Sequence, residues 1–127
     1  MNKLLISAME QYVDIDGDGW IGFDLDGSLA HYDGWKGIEH IGEPIEAAVA
    51  ILKGFLEEGK DVRIFTARVA SEDPEIKQKA INYIKAWCLK IIGRELEVTN
   101  EKDPKMLCVY DDRAKQFVQN TGEVVGE

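Results

Sequence analysis

A chain of 127 residues with 45% hydrophobic and 31% charged side chains can bury one real core, which excludes a disordered or fibrous protein. Its net charge of −9 argues against general nucleic-acid or anionic-membrane binding, since either needs a basic footprint. Cys88 and Cys108 each sit in an apolar segment and read as buried thiols, with neither His31 nor His40 at zinc-motif spacing from them. The Leu4-Leu5-Ile6 run is too short for a signal or a membrane span, so a cytoplasmic protein is expected, with an oligomer left open.

Along the chain, Leu4, Leu5, Ala8, Met9 and Tyr12 fall at helical spacing and predict a short N-terminal helix. Asp14, Asp16, Asp18 and Gly19 imitate a calcium loop. Leu25 stands where the twelfth-position glutamate should be, and Trp20-Ile21-Gly22-Phe23 reads as a strand, so an Asp-Gly turn is the better reading. The strand runs into Asp24-Leu25-Asp26-Gly27-Ser28, two carboxylates one residue apart followed by a glycine and a hydroxyl.

From Ala30 to Glu43 the chain is rich in glycine and aromatics and predicts a loop. Pro44 opens a helix whose apolar face is Ile45, Ala48, Val49, Leu52, Phe55 and Leu56, stopping at Gly59. A strand from Asp61 to Thr66 follows and leads into Ala67-Arg68. Asp73 is the predicted cap of a second helix, with Pro74 in its first turn. The expected buried face of that helix is Ile76, Ala80, Tyr83, Ile84, Trp87, Cys88 and Ile91, ending at Gly93. A short strand spans Glu95 to Thr99. Met106 to Tyr110 is a continuous apolar run of the kind buried on both faces of a parallel sheet, ending in Asp111-Asp112-Arg113. A short helix through Phe117 and Val118 and a terminal strand at Val124-Val125 complete the expected elements. There is no sign of a domain boundary.

Alternating strands and helices predict a three-layer α/β sandwich with a mostly parallel sheet, in which ligands bind outside the carboxyl ends of the strands. Asp24, Thr66 and Asp111 each fall at such an end. A carboxylate there can attack a phosphate ester if a hard cation neutralises the approach, and Mg2+ is satisfied by a few carboxylates, waters and substrate. Asp24 is then the nucleophile, Asp24 with Asp111 and Asp112 the metal site, and Asp26 the general acid/base. Thr66 offers a hydroxyl to a phosphoryl oxygen. A lysine, Lys102 in preference to Lys105, would complete the clamp. Ser28, Arg68, Trp35 and His31 are the candidates for substrate contact, Arg68 also being a candidate for a salt bridge.

This order of residues resembles the haloacid dehalogenase-like (HAD) superfamily of phosphohydrolases. Its four signatures are matched by Asp24 to Leu29, Arg63 to Thr66, Lys102 or Lys105, and Leu107 to Asp112. The resemblance implies a Rossmann-like core, Mg2+ dependence, an aspartyl-phosphate on Asp24, and the main-chain carbonyl of Asp26 on the metal. With about 40 residues between Asp26 and Thr66, the chain looks like a capless member. The Val109-Tyr110-Asp111-Asp112-Arg113 run is similar to the fourth signature of polynucleotide 3′-phosphatase domains. The expectation is a phosphatase acting on a phosphorylated small molecule or nucleic-acid end. The alternatives are a phosphotransferase and a catalytically silent binding module.

Overall fold

A computed structural model describes residues 15–127. The expected N-terminal helix and Asp14 lie outside the described residues, while Ile15 to Gly19 form turns and bends that lead into the first strand. The architecture is α/β and Rossmann-like. Strands β1 (Trp20–Phe23), β2 (Asp61–Phe65), β3 (Glu97–Thr99) and β4 (Met106–Tyr110) form one all-parallel sheet in the order β3-β2-β1-β4. Helix α1 (Glu46–Glu57) links β1 to β2, and α2 (Pro74–Ile91) links β2 to β3.

Strand alternation decides which side chains meet the helices. Ile21 and Phe23 of β1 pair in register with Val62 and Ile64 of β2. All four join one buried cluster with Val49, Leu52 and Phe55 of α1 and Ala80, Ile84 and Cys88 of α2. Both helices therefore cover the same face. On the other face lie Trp20, Gly22, Arg63 and Phe65, where a Cβ on Gly22 would touch Trp20, Phe65 and Val109. The segment 100–105 crosses this face from β3 to β4. There the Trp20 indole N–H donates to Asp103 at 2.9 Å, and Arg63 lies over the Trp20 ring at 4.8 Å. Among the described residues, no helix is long and apolar enough to cross a membrane.

The helix boundaries follow local chemistry. The Asp73 side chain accepts from the N–H groups of Glu75 and Ile76, and Pro74 occupies the first turn of α2. Helix α1 ends in a Schellman turn, with Lys60 N–H donating to the Phe55 carbonyl and Gly59 N–H to that of Leu56. The long loop of residues 31–43 is closed at its neck by His31 N–H to Glu43 O at 2.8 Å and Ile45 N–H to Leu29 O at 2.7 Å. Gly42 belongs to that neck because a Cβ there would overlap the His31 carbonyl oxygen.

Four expectations need correction. Among the described residues β4 is an edge strand, and each of its residues is only half-buried, because β1 covers one side and no described strand pairs with the other. No helix forms through Phe117 and Val118. Instead Phe117 and Val124 make an antiparallel bridge around a turn with Asn120 at φ 66, so local turn chemistry prevails over apolar spacing. Phe117 is exposed, Val118 is buried, and the expected terminal strand is reduced to this bridge. Ile76 and Tyr83, assigned to the core face of α2, are 45% and 44% exposed. Both thiols are free. Cys88 is buried as expected, which pushes it up to about 12, whereas Cys108 on the edge strand is only half-buried.

Candidate functional site

In the order β3-β2-β1-β4, the chain leaves β1 toward β2 on one side and returns as β4 on the other. The crevice at the carboxyl ends of β1 and β4 is thus the topological switch point, where open α/β sheets bind ligands. Asp24 follows β1 directly, with its N–H donating to the Tyr110 carbonyl at 2.9 Å, and Asp111 and Asp112 follow β4. Each of the three acids brings a carboxylate oxygen within 4.8 Å of the others. Gly27, at φ +86, makes room for them, since a Cβ there would stand 2.5 Å from Asp112 Oδ2.

Crowding sets the protonation of Asp24 and Asp112. Burial pushes the Asp24 carboxyl up to about 7, reinforced by its hydrogen bond with Asp112 and the charge of Asp111. Asp112 lies below its ordinary value. Its own burial opposes that direction, but hydrogen bonds from Asp24 and Ser28 and the neighbouring Arg113 outweigh it. Without a cation and below about pH 7, the proton of this pair therefore sits on Asp24, and a bound cation would favour its release. Three hard oxygen donors on a half-open surface, with charge to be neutralised, are the donor set that suits Mg2+ with waters completing its shell.

Ser28 is expected to contact substrate, but the structure uses it between the acids. Its hydroxyl lies 3.4 Å from Asp24 Oδ2 and 3.1 Å from Asp112 Oδ1 and accepts from the Asp112 N–H. Thr66 is buried at the end of β2, and its hydroxyl oxygen accepts from the Arg68 N–H at 3.2 Å, capping the short 3-10 turn Ala67–Val69. That bond leaves the hydroxyl proton free to be donated. The turn aims Arg68 back at Asp26.

Arg68 grips Asp26 with two bonds, Nε to Oδ2 at 2.7 Å and Nη2 to Oδ1 at 2.8 Å. The same guanidinium donates to the carbonyls of Ile38 (3.4 Å) and His40 (2.8 Å), tying the 31–43 loop to the site. The Trp35 ring lies over it at 4.9 Å. Arg68 thus makes the salt bridge for which it was a candidate, and it also lines the cavity that holds the acids. Both carboxylate oxygens of Asp26, the expected acid/base, accept from Arg68.

Asp24, Asp26, Thr66, Arg68, Asp111 and Asp112 line a cavity of about 1020 Å³ that also takes in Tyr32, Ile76, Asn100 and Arg113, while Ser28 stays off its wall. Trp35 lines it as expected; His31 and Lys102 do not. Lys102 sits on the segment crossing the sheet, exposed to solvent. Lys105 lies at the opposite end of the strands, where its carbonyl accepts from Trp20 N–H and its ammonium faces Asp18 at 3.8 Å. The expected lysine clamp is not assembled, and Arg113 is the remaining cation on the cavity wall.

The chain is similar to a solved structure of a conserved protein from Bacteroides thetaiotaomicron. The two share 25% identity over 77% of this chain and 78% of that one, with a TM-score of 0.50. No family model and no curated protein matches the chain. The likeness supports the α/β architecture and carries no activity with it.

Sequence reasoning missed Ile76, Asn100 and Tyr32 as cavity residues. Asn100 could have been found, being the first residue past β3 and so at the same sheet end as Asp24 and Thr66. Ile76 carried no such signal, because its helical spacing placed it with the core residues.

Proposed function

We propose that this protein is a Mg2+-dependent phosphomonoesterase of the haloacid dehalogenase-like type, working through a phosphoryl group carried on Asp24. The observation that carries the reading is the meeting of Asp24, Asp111 and Asp112 at the β1–β4 switch point, one oxygen of each within 4.8 Å of the others. Asp24, Asp111 and Asp112 would hold the ion, which supplies charge neutralisation between carboxylate and phosphate.

The chain's own residues do the rest. An Asp24 oxygen forms a bond to phosphorus while the bond from phosphorus to the leaving oxygen breaks, and that oxygen takes up a proton. Water then attacks phosphorus, gives up a proton, and frees Asp24 and inorganic phosphate. Thr66 Oγ, with its proton unspent, donates to a phosphoryl oxygen, and Arg113 replaces the expected lysine as the nearby cation. Asp26 is the acid and base for both halves. To serve, it must recover one oxygen from Arg68, so opening of that bidentate pair is part of the cycle.

The full chain should hydrolyse p-nitrophenyl phosphate with Mg2+ and lose that activity on chelation. Asp24→Asn should abolish turnover, a drop of at least 10³-fold, without unfolding the protein. An asparagine variant as active as wild type would end the proposal.

A second reading, a silent binding module with the same metal site, is favoured by one observation: the Asp26–Arg68 lock occupies both oxygens that the acid/base needs. It makes a different claim, namely that Mg2+ with beryllium fluoride binds while a panel of phosphate esters releases no phosphate.

A further inference from the structure

Large apolar side chains are costly to leave in water, and three of those exposed here gather at one place. Tyr32 (47% exposed), Trp35 (56%) and Ile76 (45%) come from the 31–43 loop and the first turn of α2, and all line the cavity that holds the acids. Trp35 is fixed as well as exposed. Its ring lies over the Arg68 guanidinium, Arg68 is nearly buried with its side chain only 5% exposed, and Asp26 holds it by two short bonds. An indole stacked on a clamped arginine has little rotational freedom to lose when a second flat group arrives. One carboxylate and one arginine separate this ring from the residue two positions before Asp26, which is Asp24.

We propose that Trp35 is the stacking platform for a flat ring on the leaving group, so that the site takes phosphomonoesters carrying an aromatic ring of nucleobase size in preference to sugar phosphates, which carry no flat ring. The inference rests on the phosphatase reading for the position of the phosphate, and on Trp35 and Arg68 for the ring. A cavity of about 1020 Å³ is at the upper end of the range for small-molecule pockets and admits a nucleoside monophosphate with its waters. The chain's net charge of −9 favours such a free monophosphate over a polyanionic strand end.

AMP and ribose 5-phosphate differ by the base alone and so isolate the platform. Binding of each to the full-length Asp24→Asn protein in Mg2+ is measured by calorimetry, a readout that needs no turnover. The expected result is AMP at least tenfold tighter than ribose 5-phosphate, a preference erased by adding Trp35→Ala and recovered with Trp35→Phe, in line with the usual cost of losing one base-aromatic stack. Equal affinities overturn the proposal, as does a preference that survives Trp35→Ala, or no AMP binding by either the Asp24→Asn or the wild-type protein. If wild type releases no phosphate from any ester while the Trp35-dependent preference holds, the platform stands and the phosphatase reading falls. If esters are hydrolysed but AMP and ribose 5-phosphate bind alike, the reverse is true.

Discussion

Asp24 is the residue at which structure and chemistry press on each other most directly. Its folded pKa of about 7 lies above the ordinary 3.8, so between these values the folded protein holds a proton that the unfolded chain has lost. The contribution of Asp24 to stability is therefore fully present below about pH 4 and is lost as pH rises through 7. Metal-free wild type should lose on the order of 1–2 kcal/mol relative to Asp24→Asn between pH 5 and pH 8, after allowing for solvent screening of a half-exposed carboxyl. Paired thermal melts at the two pH values check this, and Mg2+ at pH 8 should restore the wild type but not the variant. Arg68 is the counterpart on the other side of the cavity. Arg68→Met leaves Asp26 without its partner and frees the Ile38 and His40 carbonyls, and should cost about 2–3 kcal/mol in urea unfolding. The carboxylates were legible in the sequence because Asp24, Asp111 and Asp112 each follow an apolar strand. A salt bridge at Arg68 was legible as a candidate, but its partner Asp26 was not, since the pair depends on a 3-10 turn capped by Thr66 and on contact across 42 residues.

Among the elements, the 31–43 loop is held by its neck. Gly42→Ala drives a Cβ into the His31 carbonyl and should destabilise the protein by about 2 kcal/mol or more, while loosening the cavity wall that carries Trp35. Gly54→Ala is the opposite case. This glycine lies inside α1 with nothing within 4 Å of an added Cβ, so the change should raise stability by about 0.5–1 kcal/mol through helix propensity alone. Chemical denaturation of both variants beside wild type reads out both signs. Helix limits were readable because Pro44, Gly59, Asp73 and Pro74 act locally, whatever the rest of the chain does. The error at Phe117 and Val118 arose where a weak apolar spacing competed with an Asn-Thr-Gly turn, and the turn prevailed. Ile76 was misassigned because periodicity reports which face of a helix is apolar, not whether the sheet extends far enough to cover its first turn.

At the scale of the whole molecule, a parallel sheet turns distant stretches of sequence into neighbours. Strand ends share one edge, so acids 87 and 88 positions apart meet once β1 and β4 pair in register. That consequence of topology is why the acid cluster could be foreseen. A lysine on a crossing segment could not be placed the same way, because residues 100–105 span the full height of the sheet and the side on which each emerges is not encoded in strand alternation. The result is a cavity with acids and a hydroxyl where they were expected, Arg113 rather than a lysine as the cation not tied to Asp26 on its wall, and an apolar rim.

The most direct measurement is a crystal structure of the full chain grown with Mg2+ and beryllium fluoride. Beryllium is expected to be bonded to an Asp24 carboxylate oxygen, with one Mg2+ contacted by Asp24 and Asp111. An unmodified Asp24, with no ion between it and Asp111, would contradict the proposal.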